Sequence, residues 1–78
     1  MMTHYSGITT DLAARKQQHQ NDSSKKNMRN WTVANGGMPF PSRQVAQTWE
    51  DSQLGEHHPG GAPTTGPWYG YSFDYDKW

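Results

Sequence analysis

A chain of 78 residues is long enough for one small domain, and the absence of cysteine excludes disulfide bonds and thiolate metal sites. Seven basic and seven acidic residues cancel, which argues against charge-driven disorder and predicts weak, salt-sensitive binding to nucleic acids at best. Leu, Ile and Val together number only five, whereas ten residues are aromatic. We therefore expect an aromatic core, composed of Trp31, Phe40, Trp49, Trp68, Tyr69, Tyr71 and Phe73.

The neutral total hides an uneven distribution of charge. Residues 1–49 carry six basic and two acidic side chains, whereas residues 50–78 carry one basic and five acidic ones. The basic first part is suited to face phosphates, and the acidic second part is not. No apolar segment resembles a signal peptide or a membrane span, so we expect a cytoplasmic or otherwise intracellular protein that does not bind membranes.

The first structural unit is a strand followed by a tight turn and a helix. Residues 3–8 have the composition and alternation of a strand. Leu12–Gln20 then reads as a helix of about two and a half turns. Thr10 or Asp11 can cap this helix by accepting a hydrogen bond from one of its first free N–H groups.

Three side chains on this unit are suited to phosphate chemistry. Tyr5 lies on the strand, while Arg15 and His19 are four residues apart and therefore share one face of the helix. A guanidinium binds phosphate oxygens through its planar fork, and an imidazole can transfer protons near neutral pH. The structural alternatives are a tyrosine that packs in the sheet, a solvated arginine and a histidine that interacts with the helix dipole.

The remaining segments complete a small α+β domain over residues 1–78. We expect a polar loop at 21–27, a strand at 29–34, a turn at 35–37, a helix at 43–54 capped by Ser42, a Gly/Pro-rich connection at 56–67 and an aromatic strand at 68–73. These elements predict a small three-stranded, mainly antiparallel sheet flanked by two helices.

The motifs in residues 3–54 resemble those of the GIY-YIG endonucleases. Tyr5-Ser6-Gly7 is similar to the family's Tyr-x-Gly strand, Arg15 has the spacing of its arginine, and His19 matches the histidine of homing-type members. The segment Phe40-Pro41-Ser42-Arg43-Gln44-Val45-Ala46-Gln47-Thr48-Trp49-Glu50 resembles the family's later helix, which carries a metal-binding glutamate. The resemblance assigns that role to Glu50.

The resemblance implies metal-dependent hydrolysis of DNA, either as nicking or as cleavage directed by DNA structure. A tyrosine hydroxyl, that of Tyr5, would assist the attacking water, and Arg15 would bind the phosphate. His19 would orient groups or share in proton transfer. Glu50 would hold one Mg²⁺ or Mn²⁺ ion, which prefers oxygen ligands and waters.

The family's first strand, which carries Gly-Ile-Tyr and is normally central in the sheet, is missing before Tyr5. We expect residues 68–73 to take its place by pairing with residues 3–8, which makes the domain circularly permuted and supplies Tyr71 (or Tyr69) as the second phenol. The alternatives are a degenerate fragment and a chain that begins within a longer reading frame. A monomer and a dimer that exchanges its C-terminal strands would both allow this pairing.

Two other functions remain open on the sequence alone. One is a catalytically inactive GIY-YIG-like module that binds nucleic acid or a partner protein, which the acidic second part of the chain favours. The other is an unrelated, aromatic-rich interaction module. Both GIY-YIG hypotheses require Tyr5, Arg15 and Glu50 to converge, whereas the unrelated module does not.

Overall fold

The computed structural model describes residues 2–53, 55–57 and 67–77. In chain order, its elements are β1 (Met2–Thr9), α1 (Leu12–Gln20), β2 (Lys25–Val33), a 3₁₀ turn (Asn35–Gly37), α2 (Arg43–Asp51), β3 (Glu56–His57) and β4 (Tyr69–Lys77). Three antiparallel strands in one sheet and two helices confirm the predicted small α+β fold.

The C-terminal strand lies inside the sheet. The strand order is β2-β4-β1-β3, with β4 antiparallel to both β1 and β2. Tyr5 is opposite Phe73 and Gly7 is opposite Tyr71, so the predicted pairing between the first and last strands is confirmed. The short strand β3 runs parallel to β1, so the prediction of a connecting loop was wrong for its two residues. Residues 58–66 of that loop lie outside the described residues.

Both helices begin where the sequence places a capping side chain. The Asp11 carboxylate accepts a hydrogen bond from the N–H of Ala14 at 3.1 Å, and the Ser42 hydroxyl accepts one from Val45 at 3.2 Å. Neither helix contains glycine or proline, which would weaken it. In the part of the chain that the structure describes, no helix is long and apolar enough to cross a membrane.

Three predicted boundaries were wrong. α2 ends at Asp51, with Ser52 as its C-cap, instead of continuing to residue 54, which lies outside the described residues. β2 begins at Lys25 instead of residue 29, inside the predicted polar loop. β4 continues to Lys77 instead of ending at residue 73.

Two β-bulges explain why the start of β2 was missed. The pairing between β2 and β4 shifts twice, and Asn27 and Asn30 adopt positive φ angles of 56° and 58° at these shifts. Asparagine tolerates this conformation better than most residues. Each side-chain amide also donates a 2.8 Å hydrogen bond to β4, from Asn27 to Asp76 and from Asn30 to Asp74. The bulges are therefore bonded to the strand they face.

The bulges give β2 an inward period of three residues instead of two. Met28 and Trp31 pack against the same core cluster, and the Lys25 ammonium lies 5.5 Å from the ring centroid of Tyr5 and 5.8 Å from that of Tyr75. An ordinary strand would send residues three apart to opposite faces. Two extra residues thus place one cation, one methionine and one tryptophan on a single face.

Among the described residues, the core consists of two clusters on opposite faces of the sheet. On the face covered by α1 the buried residues are Tyr5, Tyr71, Phe73 and Tyr75, and the partly buried ones are Leu12, Met28 and Trp31. On the face covered by α2 the buried residues are Ile8, Ala46 and Trp68, and the partly buried ones are Phe40 and Trp49. The aromatic core is confirmed, but Trp31, Phe40, Trp49 and Tyr69 are only partly buried.

Candidate functional site

The site is organised by a tyrosine that lies across the neighbouring strand. The phenol of Tyr71, on β4, passes directly over Gly7 on β1, where a Cβ atom would come within 2.6 Å of the tyrosine Cζ. Glycine at this position therefore leaves the space that the ring occupies. Because of this path, the Tyr71 hydroxyl reaches the Nε2 atom of His19 on α1, at 2.8 Å.

Tyr5, Tyr71 and His19 form one buried hydrogen-bonded group. The Tyr5 and Tyr71 hydroxyls are hydrogen-bonded to each other, and this bond lowers the pKa of Tyr5 and raises that of Tyr71. The Tyr71 hydroxyl is also hydrogen-bonded to Nε2 of His19, in a direction set by the histidine tautomer. The His19 ring also packs edge-on against Tyr5, with ring centroids 4.9 Å apart.

Burial raises the pKa of both phenols above the ordinary value of 10.0, because the charged phenolate is poorly solvated inside the protein. The positive charge of Arg15 lowers the pKa of both phenols and so opposes the effect of burial. The negative charge of Glu50 raises the pKa of both. Arg15 and Glu50 are therefore close enough for their charges to act on the same two hydroxyls.

The raised phenol pKa values predict loss of stability in alkaline solution. Above about pH 10 the unfolded chain releases phenolic protons that the folded chain retains, so the folded state binds more protons and the free energy of unfolding falls. Each phenol contributes up to about 1.4 kcal/mol per pH unit in this range, and nothing below it. Urea denaturation from pH 8 to 12 measures the slope, which Tyr71→Phe should reduce. A flat profile for the unmodified chain would contradict the burial argument.

Four of the five side chains predicted for the site lie on the α1 face of the sheet, whereas Glu50 lies on α2, which covers the opposite face. Tyr5, His19 and Tyr71 are in direct contact and at most 7% exposed. Arg15 is half-buried on the inner side of α1, and Glu50 is fully buried on α2. The alternative second phenol, Tyr69, is not part of the hydrogen-bonded group formed by the other two tyrosines.

The divalent metal that the family resemblance implies would take its ligands from these residues. Glu50 supplies carboxylate oxygens, the donor type that Mg²⁺ and Mn²⁺ prefer. Within residues 2–53, 55–57 and 67–77 no group of three His, Cys, Asp or Glu side chains is placed to enclose an ion. The donor set therefore fits an ion held by one carboxylate, with water and phosphate as the other ligands. Glu50 is 0% exposed, so its oxygens are closed to a hydrated ion in this conformation.

A surface groove lies elsewhere, on the outer side of α2. Its volume is about 460 Å³, and its lining residues are Phe40, Gln44, Val45, Thr48, Trp49 and Ser52. None of the five site residues contributes to it. Because the groove is open and mainly apolar, we assign the candidate chemistry to the tyrosine–histidine group and not to the groove.

Sequence reasoning missed three contributors to this region. The role of Gly7 depends on the register between β1 and β4, which no local pattern reveals. Trp31 was expected in the core, yet it is half-buried beside Tyr71 with ring centroids 4.9 Å apart. Lys16 lies 5.5 Å from the Trp31 ring centroid, and its helical spacing from Leu12 and His19 could have placed it on the inner face of α1.

Comparisons of the chain with protein-family models, with curated proteins and with solved structures found no match.

Proposed function

We propose that this protein is a minimal GIY-YIG-like endonuclease that hydrolyses DNA phosphodiester bonds with the help of one Mg²⁺ or Mn²⁺ ion. The observation that carries the proposal is the convergence of Tyr5, His19 and Tyr71, with Arg15 and Glu50 acting by charge on the same phenols. These residues come from four separate segments of the chain. An accidental resemblance in sequence would not require Tyr5, His19 and Tyr71 to meet.

The strand order supports a permuted form of the family. β4 lies between β1 and β2, which is the central position expected for the family's Gly-Ile-Tyr strand. It is antiparallel to β1, the proposed Tyr-x-Gly strand, and places Tyr71 opposite Gly7. In this proposal β4 replaces the family's first strand and supplies its tyrosine.

The protein groups have separate tasks in the proposed reaction. Arg15 binds the scissile phosphate and neutralises charge that develops on its oxygens. The Tyr5 hydroxyl orients the attacking water; burial keeps its pKa raised, and the hydrogen bond to Tyr71 and the charge of Arg15 offset part of that increase. His19 holds Tyr71 in the orientation that this hydrogen bond requires. A divalent ion at Glu50, when bound, would supply a Lewis acid for a phosphate oxygen.

The proposal predicts metal-dependent cleavage of DNA. Supercoiled, branched and single-stranded DNA should be incubated with the purified chain and Mg²⁺ or Mn²⁺, with EDTA as a control. We expect Arg15→Ala to slow cleavage by about 10²–10³-fold, the effect of removing one group that stabilises the transition state. Glu50→Gln, which keeps the shape of the buried side chain, should also abolish the response to metal.

Arg29→Ala is the matched control for the loss of one arginine. Arg29 is exposed and pairs with Asp76 at 3.1 Å, an arrangement that contributes little to stability. Its replacement should leave the cleavage rate within about twofold of the unmodified chain, since the residue lies on the edge strand β2. If a folded, unmodified chain cleaves none of these substrates, the catalytic proposal fails.

The burial of the site favours a second candidate function, an inactive module of the same fold that binds nucleic acid or a partner protein. Tyr71 and Glu50 are fully buried and Tyr5 is 2% exposed, so these groups also serve as a polar core network. In that case DNA binding, measured by fluorescence anisotropy, would occur without cleavage and would be insensitive to Glu50→Gln. The nuclease assay and the binding assay together separate the two functions.

A further inference from the structure

A second group of side chains with nucleic-acid-binding chemistry lies where α1 meets β2. The Trp31 ring stacks on Tyr71, with centroids 4.9 Å apart and planes 16° apart. The Lys16 ammonium lies 5.5 Å from the Trp31 centroid. Both Trp31 and Lys16 are half-buried, in contrast to the enclosed Tyr71. The aromatic stack of the proposed site thus continues outward to an indole accompanied by a cation.

The orientation of this indole is set by the fold. Trp31 directly follows the bulge at Asn30, whose side chain is bonded to Asp74 at 2.8 Å. Its ring is also nearly parallel to that of Phe73, with an interplanar angle of 16°. A side chain already held in one orientation loses little conformational entropy when a ligand packs against it.

The two neighbouring cations of α1 act on different parts of this region. The charge of Arg15 reaches the phenols of Tyr5 and Tyr71, whereas the Lys16 ammonium lies over the Trp31 ring. The Lys25 ammonium, 5.5 Å from the Tyr5 ring centroid, adds positive charge but is paired with Asp22 at 2.7 Å. Arg15 and Lys16 thus place two positive charges on consecutive residues of α1.

We infer that Trp31 and Lys16 bind an unpaired nucleotide next to the scissile phosphate: the Lys16 ammonium, which lies over the indole in the unbound chain, moves to the phosphate, and the base stacks on the ring in its place. Aromatic rings beside cations are the usual means of binding single-stranded DNA, because every base has a face that can stack. In a duplex the bases stack on one another and cannot reach a side-chain ring. The inference rests on the proposed function and specifies its substrate as single-stranded or locally unpaired DNA.

The test compares two strands of equal charge in EDTA, where no cleavage interferes. One is a short oligothymidylate and the other is an abasic strand with the same number of phosphates. The unmodified chain should bind oligothymidylate about tenfold more tightly, the expected effect of stacking one base. Trp31→Leu should remove this preference and leave the affinity for the abasic strand unchanged. A duplex of the same sequence should bind no better than the abasic strand.

The lysine is tested by the salt dependence of binding. Lys16→Met retains the apolar stem beside Trp31 and should reduce the slope of log K against log salt by about one, as expected for the loss of one phosphate contact. Lys26→Met is the matched control, since Lys26 is exposed on the same edge strand as Trp31. It should leave both the slope and the preference for thymidylate unchanged.

The outcomes separate this inference from the proposed hydrolysis. Equal affinity of the unmodified chain for the two strands would overturn the inference, whatever the effect of Trp31→Leu on folding. A preference that survives Trp31→Leu in a folded variant would also overturn it. Cleavage without base-dependent binding would leave the hydrolysis intact and the nucleotide site refuted. Base-dependent binding without cleavage would support the site and refute the hydrolysis.

Discussion

Replacement of Phe73 by alanine should remove a large part of the free energy of unfolding. Phe73 is fully buried in the middle of β4 and packs against His19, Tyr5 and Tyr75, at centroid distances of 4.8, 5.2 and 5.9 Å. Truncation of a buried aromatic ring to alanine costs about 3–5 kcal/mol. A domain of this size has a free energy of unfolding of roughly 4–12 kcal/mol, so the loss is a large part of the total. Chemical denaturation followed by circular dichroism measures it.

Phe40→Ala is the control for loss of a phenyl ring outside this cluster. Phe40 is half-buried and packs against Trp49 on the other face of the sheet, with centroids 5.8 Å apart. Truncation of Phe40 should lower the free energy of unfolding clearly less than truncation of Phe73, because Phe40 buries less apolar surface. Equal losses for the two variants would mean that the α1 face of β4 does not hold the main core.

Local signals in the sequence were sufficient to predict α1 and its bounds. Asp11 supplies the cap, the next nine residues favour a helix and include no β-branched side chain, and the observed bounds are Leu12–Gln20. The neighbourhood of Arg15 and His19 follows from their spacing alone. These features depend on interactions within a few residues, so no knowledge of the remaining fold was needed.

The features that escaped prediction depend on contacts between distant segments. β2 was shortened because a period-two pattern fails where Asn27 and Asn30 form bulges against β4. β4 was ended too early because Asp74 and Asp76 look like loop residues. In the structure both accept hydrogen bonds from those asparagines, and Asp74 also bonds to His4 at 2.8 Å.

The site residues also divide into those that the sequence placed correctly and those whose position depends on distant contacts. The place of Tyr71 beside β1 was expected from the family resemblance, and the pairing of the strands bears out that arrangement. The complete burial of Glu50 was not expected, because the helical pattern identifies the inner face of α2 but not how deeply each side chain lies. Depth is set by the packing of α2 on β1 and β4, which the sequence of α2 does not contain.

Gly7→Ala should disrupt the site and the core together. The added methyl group would lie 2.6 Å from Cζ of Tyr71, so the ring must move and its hydrogen bond to His19 must break. Overpacking of a core costs about 1–3 kcal/mol, and the lost hydrogen bond adds about 1 kcal/mol. We expect the variant to be less stable by roughly 2–4 kcal/mol on these grounds and to lose any cleavage activity that depends on the Tyr71 hydroxyl.

A double-mutant cycle identifies the cause of this loss. Tyr71→Leu shortens the side chain so that it no longer covers Gly7, whereas Tyr71→Phe removes the hydroxyl but keeps the ring in place. Gly7→Ala should therefore be much better tolerated in the Leu background, with a coupling energy of about 1–3 kcal/mol. In the Phe background it should cost almost as much as in the unmodified chain, since the ring still occupies the same space. If Gly7→Ala lowered stability equally in the unmodified, Tyr71→Leu and Tyr71→Phe chains, the Tyr71 ring would not lie over β1. The contact of Tyr71 with Tyr5 and His19 would then be unexplained.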